Sequence, residues 1–207
     1  MVANPLLCWK SGVAGMLNDR LIQRIASIDK AREFLSMWTD WGVEDCGVTV
    51  HSLGVTYLTL MGRELGYCAA SELPAPRRGQ YGHVFADVRS DSVWFHQGNR
   101  EVVLLAEFER YTGQRKDLKP KVENLLLAQL RWEAPNSTLI MAYWTEGLVS
   151  LPDHGELRSV VSSGFTTSVR EEVAGGNSGT IQFLQFVMTK GRDGLLRLTG
   201  IVVRGNG

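Results

Sequence analysis

The chain has 207 residues, of which 44% are hydrophobic, 21% charged and 9% aromatic. That length suits one domain, which buries roughly 70% of the unfolded chain's surface and needs no disulfide or structural metal to fold. Lys and Arg total 22 and Asp and Glu total 22. The balance excludes a protein that grips nucleic acid by a global positive field, so any such contact must come from a local patch.

The three cysteines, Cys8, Cys46 and Cys68, form no CxxC pair and no Cys/His knuckle. A zinc site and a disulfide framework are therefore not expected. The start, MVANPLLCWK, lacks the charged and apolar blocks of a secretory signal. No run approaches the roughly 20 apolar residues of a membrane helix. A cytoplasmic setting without membrane contact is the expectation.

In chain order, residues 1–20 read as a loosely patterned lead-in. Leu21 to Trp38 has Ile22, Ile25, Ile28, Ala31, Phe34 and Leu35 at helical spacing, with Asp29 a candidate cap for a second piece. His51 to Leu65 is a second helix, closed by Gly66. Tyr67 to Leu73 is strand-like, and Pro74 to Gly79 is a loop by composition. Apolar runs at His83–Val88 and Ser92–Phe95 precede a stronger strand, Val102–Phe108. Gly98-Asn99 between them has hairpin chemistry. Residues 114–132 form a helix with Pro120 in its first turn, and Thr138–Thr145 is an apolar strand. Leu151–Ser163 is a short helix, Ala174–Gly179 a Gly-rich loop, and Thr180–Lys190 with Leu195–Arg204 a closing hairpin. The sequence predicts one α/β domain: a helical lead-in over 1–50, a core over 51–145 and a β-rich extension over 146–207.

Three carboxylates carry the chemistry. Glu107 and Glu109 are two apart on one strand, so they share a face. Asp91 lies across the Gly98-Asn99 turn. A three-residue loop sets it opposite Glu107, and a two-residue loop turns it to the other face. Carboxylates that converge repel one another and are tolerated around a hard divalent cation such as Mg²⁺ or Mn²⁺. The backbone carbonyl of Phe108 is a further candidate ligand. The competing reading is an edge-strand surface in which Arg100 and Arg110 pair with the glutamates.

The segments Arg89-Ser-Asp91-Ser-Val-Trp-Phe, Val102-Val-Leu-Leu-Ala-Glu107-Phe-Glu109 and Lys121-Val-Glu-Asn124-Leu-Leu resemble the PD-(D/E)XK nuclease superfamily, the restriction-endonuclease-like fold. The resemblance covers roughly residues 51–145. It implies an αβββαβ core, with Asp91 and Glu107 as metal ligands. The superfamily has Lys where Glu109 stands; some members carry Glu there, and others move the Lys to the next helix. Lys121 is the candidate for that role, on a helical stripe with Asn124. If Lys121 falls short, Glu109 acts alone as ligand or base, or catalysis is lost. Asp87 rivals Asp91, although it lies roughly 13 Å further along a regular strand. Glu64 resembles an extra acid that some members place on the preceding helix, and Glu72 is a more remote candidate.

Arg77, Arg78, Arg89, Arg115, Lys116 and Lys119 flank this region in sequence and are candidate phosphate contacts. The four histidines show no metal-ligand spacing and are read as core or surface residues. No G-x-S-x-G or P-loop is present. The resulting expectation is a Mg²⁺- or Mn²⁺-dependent endonuclease, acting on DNA more readily than RNA and capable of forming a homodimer. The alternative is a non-catalytic nucleic-acid- or protein-binding module on a degenerate nuclease-like fold.

Overall fold

The computed structural model describes residues 14–46, 48–79, 83, 88–113, 118–147, 149–168, 170 and 172–205, with residues 14–18 as backbone only. Asp87, Arg115 and Lys116 lie outside the described residues, as does most of the 83–88 run.

The Leu21–Trp38 pattern is interrupted. Helix α1 (Ala14–Ile25) ends before α2 (Ile28–Phe34), and a π-helical turn follows at Met37–Trp41. The cap of α2 is Ser27, whose Oγ accepts the Lys30 N–H at 3.3 Å; Asp29 lies within the first turn. The break is held by a tertiary contact. Tyr57 Oη donates to the carbonyls of Ile25 and Ser27 at 2.8 and 3.2 Å.

Helix α3 (Val48–Glu64) leads into three antiparallel strands, β1 (Cys68–Pro74), β2 (Arg89–Phe95) and β3 (Val102–Arg110). Helix α4 (Lys119–Arg131) crosses to β4 (Thr138–Glu146), which is parallel to β3. The helix-strand-strand-strand-helix-strand order is thus present. Helix α5 (His154–Ser163) and a small hairpin, β5 (Gly164–Thr166) with β6 (Glu172–Ala174), come next. Strand β7 (Ile181–Lys190) pairs parallel to β4, and β8 (Leu196–Arg204) pairs antiparallel to β7. The C-terminal hairpin therefore completes one mixed sheet of order β1-β2-β3-β4-β7-β8.

Strand β4 is buried from Thr138 through Thr145, as expected of a strand covered on both faces. One core lies under α1, α2 and α3 and includes Leu104, Ala106, Phe108, Ala142 and Phe186. The other lies under α4 and α5 and includes Leu105, Leu139, Met141, Tyr143 and Phe183. Trp38 is fully buried in the first core, stacked on Phe186 at 5.7 Å, while Trp41 remains 69% exposed. Two glycines let α3 approach the sheet. A Cβ on Gly54 would run into the Phe108 ring, and one on Gly62 would sit 2.7 Å from Ala69 and Trp94. This close approach fixes where the first turns of α3 meet β3. Among the described residues no helix is long and apolar enough to cross a membrane.

Candidate metal centre

Neither simple loop length describes the β2–β3 turn. His96 N–H donates to Glu101 O and Arg100 N–H to His96 O, and a bulge between Trp94 and Phe95 leaves Val103 as an extra residue on β3. The bulge restores the favourable register: Ser92 faces Ala106 and Val93 faces Leu105, which sets Asp91 opposite Glu107. On the other side Ser71 faces Ser92 and Leu73 faces Ser90, so Glu72 falls opposite Asp91. One row thus carries Glu72, Asp91 and Glu107 on three adjacent strands. Glu72 has φ of +53°, an uncommon conformation for a residue with a side chain.

The backbone ladder of β2 and β3 ends at Ser92–Ala106. Beyond it Asp91 Oδ2 accepts the Phe108 N–H at 2.7 Å. A side chain has replaced the backbone partner, and the strands part around it. The Phe108 carbonyl is directed to the same side as its N–H, by ordinary strand geometry. Side chains reach this opening from both faces of the sheet. From α3, His51 Nε2 comes within 3.9 Å of Asp91 Oδ1. From α4, Lys121 Nζ lies 3.2 Å from Glu107 Oε2 and 2.6 Å from Glu109 Oε1. Asn124 Nδ2 donates to Glu107 Oε1 at 2.7 Å and to Arg89 O at 2.5 Å.

Glu107 is 2% exposed. Burial, and then the neighbouring Asp91, push its pKa up to about 8. Burial also raises Asp91, partly offset by the Phe108 N–H and by His51 and Lys121. Both shifts favour retention of a proton by the pair while no cation is bound. Burial opposes the charge on Lys121, but Glu107 and Glu109 outweigh it and raise the lysine's pKa.

His51, Glu72 and Asp91 each offer one atom within 4.8 Å of the others, a group that could hold a metal ion. Two ligands of one hard cation lie at most about 4–5 Å apart, so the span is compatible with a shared ion. The donor set has imidazole and carboxylate character, with Glu107 across the same opening. The site thus brings together Asp91, Glu107, Glu109 and Lys121, with the more remote candidate Glu72 and the stripe partner Asn124, and adds His51, which the sequence reading did not single out.

Other candidates lie elsewhere. Glu64 is thirteen residues beyond His51 on α3, roughly 20 Å along the helix. It pairs with Lys30 at 3.0 Å and Arg24 at 3.9 Å, so its assignment as an extra acid is corrected. Arg78 is also misplaced. It lines a cavity of about 350 Å³ with Arg100, Trp132 and Glu133, at the end of β3 opposite Glu107. Arg77 is exposed in the loop just before it. Arg89 begins β2 and is tied to the site through its carbonyl and Asn124. Lys119 is exposed in the first turn of α4, 3.9 Å from Glu123. Arg110 pairs with Asp45 at 3.1 Å and Glu146 at 3.7 Å and lies over the Trp144 ring, not against Glu107 or Glu109.

The reading of the histidines missed His51, because its partners stand 21 and 40 residues away. The available signal was Gly54 and Gly62 on the apolar face of α3, which mark a helix that touches the sheet. No protein-family model, no curated protein and no solved structure matches the chain.

Proposed function

We propose that this protein is a divalent-cation-dependent nuclease of the restriction-endonuclease-like type, hydrolysing phosphodiester bonds in nucleic acid, with DNA as its first substrate. The observation that carries the reading is the convergence at one parted strand pair. Asp91 and Glu107 meet there with a charged lysine, Lys121, held between Glu107 and Glu109.

Asp91, Glu107 and the Phe108 carbonyl would hold the cation, with Glu72 from β1 and His51 from α3 completing its shell. A mixed imidazole and carboxylate set favours Mn²⁺ over Mg²⁺. When bound, the cation lowers the pKa of a coordinated water and offsets charge on the phosphate. Lys121 supplies the remaining positive charge. Its ammonium, fixed by Glu109 at 2.6 Å, would orient the attacking water and stabilise charge on the phosphoryl oxygens. Asn124 holds Glu107 in one orientation through its 2.7 Å hydrogen bond. Attack in line by water requires no covalent enzyme intermediate.

One feature favours a non-catalytic binding module: Glu109 occupies the position of the usual lysine, and Lys121 is already engaged by two carboxylates. Nicking of supercoiled plasmid, and cleavage of labelled RNA, with Mg²⁺ or Mn²⁺ separates the two. The nuclease reading expects cation-dependent cleavage that Asp91→Ala and Glu107→Ala each abolish. Inactive wild-type protein across these substrates, or activity surviving both substitutions, would refute it.

A further inference from the structure

The sheet face that carries Glu107 and Glu109 continues past α5 to an open strip. Arg204 pairs in register with Phe183, Val202 with Gln185 and Gly200 with Val187. Phe183 packs in the core under α4 and α5, so these three β8 residues share that face. The face is uncovered there: Val202 is 36% exposed, and a Cβ on Gly200 would meet no atom within 4 Å.

The strip is lined by cations. Arg204 Nε donates to Gln185 Oε1 at 2.8 Å, and its Nη2 donates to the same oxygen. Gln185 is fixed in turn by its Nε2, which donates to Thr145 Oγ1 at 2.9 Å. On the α5 side, His154 Nε2 lies 3.1 Å from Tyr143 Oη. Arg158 lies over the Phe183 ring and donates from Nη1 to the carbonyls of Ile181 and Ser178, at 2.8 and 3.4 Å. Its Nη2 is buried with no partner. Burial lowers the His154 pKa, and the charges of Arg204 and Arg158 lower it further.

Among the described residues no carboxylate pairs with Arg204 or Arg158, whereas Arg32, Arg110 and Arg197 each pair with an aspartate. For Arg158, whose Nη2 is buried without a partner, the missing counter-charge is costly unless an anion approaches. The planar donor fork of arginine fits phosphate oxygens.

The strip is also continuous with the metal centre. Glu109 pairs with Tyr143, and Tyr143 with Gln185, on successive strands of one face. At about 4.8 Å per strand, Gln185 and the Arg204 head bound to it lie about 10 Å from Glu109. A nucleic-acid strand rises that far in about three nucleotides.

We propose that Arg204, with His154 held from beneath by the buried Tyr143, forms a backbone-phosphate subsite that seats the nucleic-acid strand about three nucleotides from the bond to be cut. The assignment rests on the nuclease reading for its ligand, and Arg158 supplies additional positive potential from beneath.

The test is anisotropy binding of a fluorescein-labelled 12-nucleotide DNA over 50–300 mM KCl. It uses the whole chain as wild type, Arg204→Gln, Arg204→Lys and Arg32→Gln, alongside Mn²⁺-dependent plasmid nicking and thermal melts. Arg204→Gln is expected to bind about tenfold more weakly and to lose about 0.7 from the salt slope, the loss of one single-strand phosphate contact. Arg204→Lys keeps the slope, and Arg32→Gln, on the opposite face, changes nothing. Wild-type affinity and slope in a folded Arg204→Gln protein would overturn the subsite, even if nicking is robust. Arg204-dependent binding without nicking would uphold the subsite and remove the hydrolytic chemistry. Failure of the wild type to bind the oligonucleotide would overturn the subsite outright.

Discussion

Replacing Glu107 by Gln converts the buried acid into a neutral side chain of the same shape. Because burial and Asp91 raise its pKa from 4.5 to about 8, the folded protein binds a proton there that the unfolded chain releases. Between these values the native state holds more protons than the unfolded state, so stability falls as pH rises from about 4.5 to about 8. At 1.36 kcal/mol per unit the ceiling is about 5 kcal/mol. For a chain of this size that is a shift of about 10–20 °C in Tm. The substituted amide does not ionise, so the variant lacks this loss. Melting curves in EDTA at pH 5, 6.5 and 8.5 should therefore show wild type losing ground steadily against Glu107→Gln. Added Mn²⁺ should reverse the order at pH 8.5, because the cation replaces the proton between the carboxylates of wild type alone. A concentration of one hundred times Kd contributes about 2.7 kcal/mol. Parallel pH profiles in EDTA, or an equal Mn²⁺ shift in both proteins, would refute the reasoning.

Lys121→Gln should reduce cleavage about a hundredfold or more while leaving the Mn²⁺-induced Tm shift in place, since the lysine holds charge at the phosphate and is not a ligand. Loss of the Tm shift in that variant would make it part of the cation site instead. His51→Ala should weaken Mn²⁺ binding by about tenfold or more and narrow the preference for Mn²⁺ over Mg²⁺, as measured by calorimetry; unchanged affinity would remove His51 from the shell. Gly54→Ala forces a methyl into the Phe108 ring and should cost about 1–3 kcal/mol by overpacking. It should also weaken the cation site, because the Phe108 N–H holds Asp91; a melt indistinguishable from wild type would contradict this.

The central elements were legible because their signals are local. Val102 to Phe108 is apolar enough to be read as a buried strand, and the two-residue spacing of Glu107 and Glu109 places both on one face, which the structure covers with α4. Lys121 and Asn124 share a helical stripe, and both reach the carboxylates. The register of Asp91 was not legible. It depends on the bulge at Val103, which no turn dipeptide announces. A second helical piece was legible, but its start was placed at Asp29 and not at Ser27, because the contact that holds the break is Tyr57 Oη, about thirty residues away, donating to the carbonyls of Ile25 and Ser27. Glu64 enters the sequence reading through the family resemblance, and Arg78 through proximity in sequence. A seventeen-residue helix carries its two ends about 25 Å apart, and the loop after β1 leads to the far end of β3. His51 became visible only once three strands and a helix were assembled around Asp91, and the same assembly brings the remote candidate Glu72 opposite Asp91.

The most direct test of the metal centre is anomalous X-ray scattering at the manganese edge from crystals soaked in Mn²⁺. The account predicts a peak between β2 and β3, within coordination distance of Asp91 and Glu107 oxygens, with His51 Nε2 turned toward it. A peak elsewhere on the molecule, or none at a concentration that shifts the Tm, would contradict it.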